Sequence, residues 1–302
     1  MLTNFPNGIS SFGVPVIGGG SLIPPTTGKY VFVHSGTGSN QNEGDSPSAP
    51  MATIDGAVGK CTANAGDIII VMPGHAENIS AATSLVVDVA GVQIIGLGHG
   101  RNRPVLTYTA TAGTIEMDAA NTRLSNVVLR ASVSAVVVGI NVDADGVTLD
   151  NLEFTFEDTG DDFVTMIDID AFDFATVQSC IFRAEETAGA AEAIRLDDCN
   201  YVRIVGNQFT GIWSDAPIIG EGALGVSLLI ADNVIYNGDT TDQNGIDLNV
   251  AFTGLITNNR IGTLYATGIA GLLDPGSCLC SQNYATNAID ETGALVPVTA
   301  ST

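Results

Sequence analysis

The stretch RIVGNQF, residues 203–209, decides the fold because its pattern returns along the chain at a narrow interval. It places an apolar residue before an asparagine, Asn207, and a large apolar residue after it. Self-similarity at a fixed period of 20 to 50 residues is the signature of a repeat architecture. The related segments are RLSNVVL (123–129), TLDNLEF (148–154), TVQSCIF (176–182), LIADNVI (229–235), LITNNRI (255–261) and CLCSQNYA (278–285).

One anchor residue in each of these segments lies 24 to 29 residues from the next. At a tight turn an asparagine side chain tolerates unusual backbone angles and satisfies local backbone groups. Amides at equivalent positions of stacked repeats can also bond to each other, so the spacing predicts an asparagine ladder. A cysteine replaces the asparagine once, at Cys180. The predicted ladder residues are Asn126, Asn151, Asn207, Asn233, Asn259 and Asn283.

A second strand pattern precedes each anchor, as in MIDID (166–170) and GIDLN (245–249). Each repeat therefore holds at least two short strands that alternate with period 2. The repeats lack helical periodicity, and a propeller blade needs about 40 residues or more. The sequence predicts an all-β protein, a single-stranded parallel β-helix, with the coils and their ladder at residues 81–290.

The stretch SPSAPMATIDGAVGKC, residues 46–61, is the one convincing amphipathic helix. Ser48 can cap it and Pro50 suits its first turn. An uncapped solenoid would expose its apolar core and unpaired strand edges, so we expect this helix to cover the open end of the stack. Residues 29–80 then form the first strands and the capping helix, and residues 291–302 form a short carboxyl-terminal tail. The apolar stripe consists of Ile54, Ala57, Val58 and Cys61.

Composition restricts the classes of partner. The chain of 302 residues carries 33 Asp and Glu against 10 Lys and Arg, a formal charge of −23. Such a field repels phosphate backbones, so we expect no nucleic-acid partner. No apolar run approaches the roughly 18 residues of a membrane span, so we expect no membrane partner. The five cysteines include no CxxC pair, and the three histidines lack metal-ligand spacing, so we expect no metal and no cofactor.

The coil period, the repeated asparagine and the order of the first elements resemble the right-handed parallel β-helix superfamily of pectate lyases, polygalacturonases and phage tailspikes. The resemblance covers roughly residues 30–288. It raises the alternative of a tailspike-like protein that binds or degrades a polysaccharide. Gly98-His99-Gly100 and Asp197-Asp198 resemble polygalacturonase motifs, but their order is reversed.

Spacing also counts against a catalytic site. We expect His99 and Asp197 to lie about four coils apart, near 19 Å at the spacing of neighbouring strands. Asp168 and Asp170 share a strand face and are expected to be exposed one coil from Asp197, where they could bind a cation or act on a sugar. Aromatic residues make up only 6% of the chain, which is few for a sugar-binding groove. We therefore predict no catalytic residues.

Residues 1–28 contain no charged side chain. A flexible linker would be more polar, so we predict an extended arm that anchors the protein to a partner. The alternative is that the arm packs on its own β-helix. The candidate anchoring residues are Phe5, Pro6, Phe12, Val14, Pro15 and Val16.

The stretch FPNGISSFGVPV, residues 5–16, resembles the amino-terminal stretch of phage virion proteins in which it precedes a Gly-rich spacer and a β-helix body. This resemblance implies a tail or capsid-surface protein, and the short tail after the last coil favours the capsid surface. We therefore expect a homotrimeric capsid decoration (cement) protein, made in the host cytoplasm and located on the virion surface. Its partner would be the major capsid protein or another virion protein.

Overall fold

The computed structural model describes residues 24–186, 189–222, 224–239, 244–249, 251–264, 272–286 and, for the backbone alone, 10–11, 14–15 and 294–296. Three sheets of 10, 10 and 8 strands run the length of the body, and each successive passage of the chain adds one strand to each sheet. We call one such passage a coil and the sheets I, II and III. The predicted all-β parallel β-helix is confirmed.

Sheet I contains the first strand of every coil. Its leading strand, Tyr30–Val33, pairs with coil 1, and coils 1 to 9 follow in chain order. The strands are Tyr30–Val33, Ile68–Val71, Gln93–Gly96, Arg123–Ser125, Thr148–Asp150, Thr176–Gln178, Arg203–Val205, Gly225–Ala231, Phe252–Thr257 and Leu279–Ser281.

Sheet II contains the second strands, and its last strand pairs antiparallel with coil 9. The strands are Ala76–Ile79, Val105–Tyr108, Val128–Ala131, Glu153–Phe156, Ile181–Arg183, Gln208–Thr210, Val234–Asn237, Arg260–Thr263, Asn283–Thr286 and Ala294–Val296.

Sheet III contains the third strands of coils 1 to 8. The strands are Leu85–Val86, Ile115–Met117, Val136–Val142, Phe163–Asp170, Glu192–Asp197, Ile218–Gly220, Ile246–Leu248 and Leu273–Asp274. A 3-10 turn, Gly100–Asn102, lies between the first two strands of coil 2.

The core lies inside the three sheets, where equivalent residues of successive coils stack on each other. In sheet II the rings of Phe154 and Phe182 lie 5.2 Å apart, and those of Phe182 and Phe209 lie 4.7 Å apart. All three side chains are fully buried. Alternation of inward apolar and outward polar residues therefore gives each sheet one core face and one outer face.

The amino-terminal helix is shorter than the sequence predicts. It spans Ile54–Val58, and its cap is Thr53, whose side chain accepts a hydrogen bond from the Gly56 amide. The predicted cap, Ser48, lies in a turn and bonds Ser46. Thr53 is the cap because it directly precedes the buried apolar residues that must face the first coil. The helix packs against Tyr30–Val33, Ile68–Val71 and Leu85–Val86, so it covers the end of the stack as expected.

The turn between sheets I and II separates the predicted ladder residues into two groups. In coils 6 to 9 the asparagines are almost fully buried, and each side-chain oxygen accepts from the backbone amide of the preceding anchor, at 2.9 to 3.0 Å. Each side-chain nitrogen donates to a sheet I carbonyl 27 to 30 residues earlier. The members of this continuous ladder are Asn207, Asn233, Asn259 and Asn283.

Asn126 and Asn151 lie one position earlier in the turn and form a separate rung, in which Asn151 donates to Asn126 Oδ1 at 3.0 Å, so they do not continue the buried ladder of coils 6 to 9. Both adopt positive φ, +58° and +52°, as do Ser179 and Gly206 in the next two coils. The ladder position beside them is occupied by Val127 and Leu152, which are buried in the core. The sequence alone does not separate the two positions, because asparagine suits both. The earlier position needs a left-handed backbone, and the later one uses the side-chain amide.

Candidate functional site

The outer face of sheet III carries the densest group of carboxylates. These carboxylates form two columns that run from coil to coil, because side chains paired in register point the same way. We call this surface the acidic face. It consists of Glu116, Asp118, Asp143, Asp168, Asp170, Asp197 and Glu221.

At one end of the acidic face, carboxylate oxygens of Glu116, Asp118 and Asp143 lie within 4.8 Å of one another. Asn141 donates to Glu116 Oε2 and to Asp143 Oδ2, at 2.9 Å each. Burial raises the pKa of Glu116, and the charges of Asp118 and Asp143 raise it further, while Asn141 opposes the shift. Grouped oxygens of this kind suit a hard divalent cation, and without one they repel each other.

Asp168 is buried rather than exposed, which corrects the expectation for this residue. Arg195, one coil further on, lies over it and donates from Nε to Asp168 Oδ1 at 3.0 Å and from its terminal nitrogen to Oδ2. Such a two-pronged pair fixes both side chains and leaves neither free for chemistry.

Asp170 is exposed and pairs in register with Asp197, as the sequence predicts. Partial burial raises the pKa of Asp197, and the charges of Asp170 and Asp198 add to the shift. The acidic face therefore carries uncompensated negative charge.

His99 and Asp197 are not brought together. His99 follows the sheet I strand of coil 2, whereas Asp197 ends the sheet III strand of coil 5. They are three coils apart, not four, and lie on different sheets. They cannot act on one glycosidic bond, which requires its two carboxyl groups within about 10 Å.

A cavity of about 380 Å³ lies on the outer face of sheet I. Arg123 and Asp150 form an ion pair of 2.5 Å across it, and Ser125 donates to the same carboxylate at 3.1 Å. Arg123 Nε is buried and has no hydrogen-bond partner among the described residues. The described lining residues are Pro24, Ile95, Gly96, His99, Arg123, Ser125, Asn126, Asp150 and Asn151.

Asn126 and Asn151, which form the separate rung, also line this cavity. Asn126 donates to the carbonyls of Gly96 and Gly98, and Asn151 donates to Asn126 Oδ1 at 3.0 Å. The long segment between the first two strands of coil 2 forms one rim of the cavity. Its length is the feature of the sequence that could have indicated the cavity. Asp150 is the one carboxylate among the described lining residues, so the arrangement suits binding of a polar ligand more than two-carboxylate hydrolysis.

The chain reaches the body beside the same cavity. Pro24 contributes to its wall, and the Tyr30 hydroxyl donates to the Pro24 carbonyl at 3.0 Å. The neighbouring outer face is apolar, with Ile68, Ile70 and Ile95 buried there. Of the predicted anchoring residues, Phe5, Pro6, Phe12 and Val16 lie outside the described residues. Val14 and Pro15 form a strand that pairs antiparallel with Ser10–Ser11.

No protein-family profile and no curated protein matches the chain. Solved structures similar to it include a rhamnogalacturonan lyase (12% identity, TM-score 0.42, covering 85% of this chain and 87% of the other), a GH136 lacto-N-biosidase from Eubacterium ramulus (10%, 0.39, 85% and 67%) and ORF18 of Geobacillus virus E2 (10%, 0.37, 79% and 58%). The chain thus spans little more than half of the viral protein. At these identities the likeness concerns the fold alone. Among the described helices, none has the length and apolarity needed to cross a membrane.

Proposed function

We propose that the protein is a structural component of a phage virion, a homotrimeric capsid decoration (cement) protein that stands on the shell and stabilises it. The observation that carries the proposal is the arm at residues 1–28, which has no charged side chain and precedes a body with a charge of −23. An uncharged, apolar arm suits burial against a partner, whereas the acidic body suits solvent. The resemblance of residues 5–16 to phage virion proteins gives the class of partner, the major capsid protein or another virion protein.

Deletion of residues 1–28 tests the proposal. The truncated protein should fold, and it should fail to co-sediment with purified capsids that bind the full chain. Each buried apolar anchor can contribute roughly 1.5–3 kcal/mol, and three arms in a trimer act together. A matched variant with Phe5→Ala and Phe12→Ala should weaken attachment without changing the length of the arm.

Full occupancy of the capsid by the truncated protein would show that the arm is not the anchor. Loss of folding on truncation would instead place the arm within the body. Sedimentation equilibrium of the full chain tests the trimer, and a monomer at micromolar concentration would contradict that part of the proposal.

The cavity on sheet I favours one alternative, a tailspike-like protein that binds a glycan. Its polar lining and the unpartnered Arg123 Nε are features of a small-ligand site. Incubation with host capsular or exopolysaccharide, followed by assays for binding and for new reducing ends, distinguishes the two. Binding that is lost in Arg123→Ala and retained after deletion of residues 1–23, which keeps Pro24 in the cavity wall, would favour the alternative.

A further inference from the structure

Two exposed aromatic side chains form a stacked pair at the corner where the chain passes from sheet III to sheet I. Phe174 and Tyr201 occupy the same position in consecutive coils, with ring centroids 4.8 Å apart and planes 5° from parallel. Their side chains remain 57% and 47% exposed. The other aromatic stacks, within the core, bury their rings, so this pair presents its apolar surface outward.

The backbone holds the two rings in fixed positions. Asp173 accepts from the backbone and side-chain nitrogens of Asn200 at 2.9 Å each, and Asn200 Oδ1 accepts from the Val226 amide at 3.0 Å. Phe174 and Tyr201 each follow one of these residues and have φ of +62° and +57°. The pair is therefore pre-organised, and a ligand that stacks on it would lose little free energy in ordering the rings.

Among the residues that the structure describes, the outer ring faces meet no further ring. The same corner position is Gly146 one coil earlier and Ser227 one coil later, both with positive φ. Exposed Leu224 and Val226 extend the apolar surface on one side. We call these four exposed residues, Phe174, Tyr201, Leu224 and Val226, the corner patch.

Charge decides which ligand fits. Asp170 lies four residues before Phe174, and Asp197 and Asp198 lie four and three residues before Tyr201, so the acidic face borders the corner patch. Two cations lie nearby: Arg195 is already paired with Asp168, and exposed Arg203, two residues after Tyr201, is outnumbered by the three carboxylates. The face of an aromatic ring is itself electronegative, so both features attract a flat cation and repel phosphate.

We propose that the corner patch binds an arginine-bearing segment of a partner protein, with a guanidinium group stacked on the aromatic pair and held by the adjacent carboxylates. A guanidinium is planar and weakly hydrated, and it stacks on aromatic faces better than an ammonium group does. A neutral sugar would use the ring face but would gain nothing from the surrounding charge. This surface is independent of the arm and of the identity of the virion partner.

The test is titration of the full chain with the peptide acetyl-GRGRGR-amide and with its lysine counterpart, followed by calorimetry at low and at high salt. We expect the arginine peptide to bind more tightly, with weaker binding at high salt. Phe174→Asn with Tyr201→Asn should weaken binding of the arginine peptide about tenfold, within the usual range for cation–π contacts. Asparagine is chosen because Asn121 occupies the same corner position with φ of +59°, so the fold should be kept.

The matched control is Tyr236→Ala with Tyr284→Ala, which removes two exposed tyrosines from sheet II and should leave binding unchanged. Tyr201→Phe should also bind normally, since the ring face is kept. Equal affinity for the two peptides together with insensitivity to the asparagine variants would overturn the proposal in favour of charge alone. Binding of neutral oligosaccharides in preference to the arginine peptide would overturn it in favour of a sugar site.

Discussion

At the scale of single residues, the ladder shows how one asparagine side chain can satisfy several backbone groups at a turn. Asn233 is fully buried, accepts from the Asn207 amide at 2.9 Å and donates to the Ile204 carbonyl at 3.0 Å. Asn233→Leu leaves these groups without partners, so we expect a loss of about 1–3 kcal/mol in the free energy of unfolding, measured by urea denaturation. Asn78→Leu is the control, since Asn78 is exposed on an extended strand of sheet II, and it should cost about 0.5 kcal/mol or less. Equal effects would mean that burial of the ladder does not matter.

Cys180 already imitates the ladder. Its sulfur accepts from the Leu152 amide at 3.4 Å, and its own amide donates to Asn207 Oδ1 at 2.9 Å. Its thiol lies 3.7 Å from the Leu149 carbonyl, where a ladder asparagine would place its nitrogen. Cys180→Asn should therefore extend the ladder by one coil and raise stability by about 0.5–1.5 kcal/mol. Cys180→Leu, of similar size but without polar atoms, should lower it, and a gain for leucine over asparagine would contradict the assignment.

The sequence predicted that an asparagine repeats with each coil, but it could not assign which turn position each one fills. RLSNVVL and TLDNLEF place the asparagine at the fourth residue, whereas RIVGNQF places it at the fifth. The two positions differ in burial and backbone angle, which only the stacking of coils determines. The corner patch was missed for the same reason. Phe174 and Tyr201 are 27 residues apart, and their separation matches one coil only when sheet register is known.

At the scale of elements, the amino-terminal helix depends on a cap and on contacts with the first coil. Thr53 accepts from Gly56, and Glu77 accepts from the Ile54 amide at 3.0 Å and bonds buried His75. Thr53→Ala should lower the free energy of unfolding by about 0.5–2 kcal/mol. Ser48→Ala, at the position that the sequence favoured, should be nearly neutral. Thermal melts of both variants test this. A larger loss of stability for Ser48→Ala than for Thr53→Ala would support a helix that is capped at Ser48.

The existence of this helix could be predicted, but its length could not. The apolar spacing of Ile54, Ala57 and Val58 is local information, and all three are buried as the pattern indicates. Met51 instead pairs with the leading strand, where its amide donates to the Phe32 carbonyl at 2.8 Å. That contact joins parts of the chain that the local pattern does not connect, so it overrides a capping signal at Ser48.

At the scale of the whole molecule, the strands that build the core also concentrate charge on its outside. Because equivalent residues of each coil lie in register, an outward carboxylate in one coil has a neighbour directly above it, as Asp170 has Asp197. A single acidic position in the repeat thus becomes a column of like charges. Repulsion within the acidic face therefore lowers the free energy of unfolding, unless protons, salt or a cationic partner reduce the negative charge.

This gives a pH dependence with a definite sign. Burial, followed by neighbouring carboxylates, raises the pKa of Glu116, Asp143 and Asp197 in the folded protein. Between the unfolded values near 4 and the raised folded values, the folded state binds more protons, so stability falls as pH rises through that window. We expect a higher melting temperature at pH 5 than at pH 8, and added salt should raise the melting temperature more at pH 8 than at pH 5.

Asp143→Asn should raise the melting temperature at pH 8 and reduce the difference between pH 5 and pH 8, because Glu116 and Asp118 then face one less carboxylate. Asp45→Asn removes the same charge from an exposed turn outside the acidic face and should leave that difference unchanged. If both variants flatten the profile equally, net charge and not the arrangement of sheet III sets the dependence. If the wild-type protein is instead more stable at pH 8, the acidic face holds a compensating cation in solution, and addition of a chelator should restore the expected order.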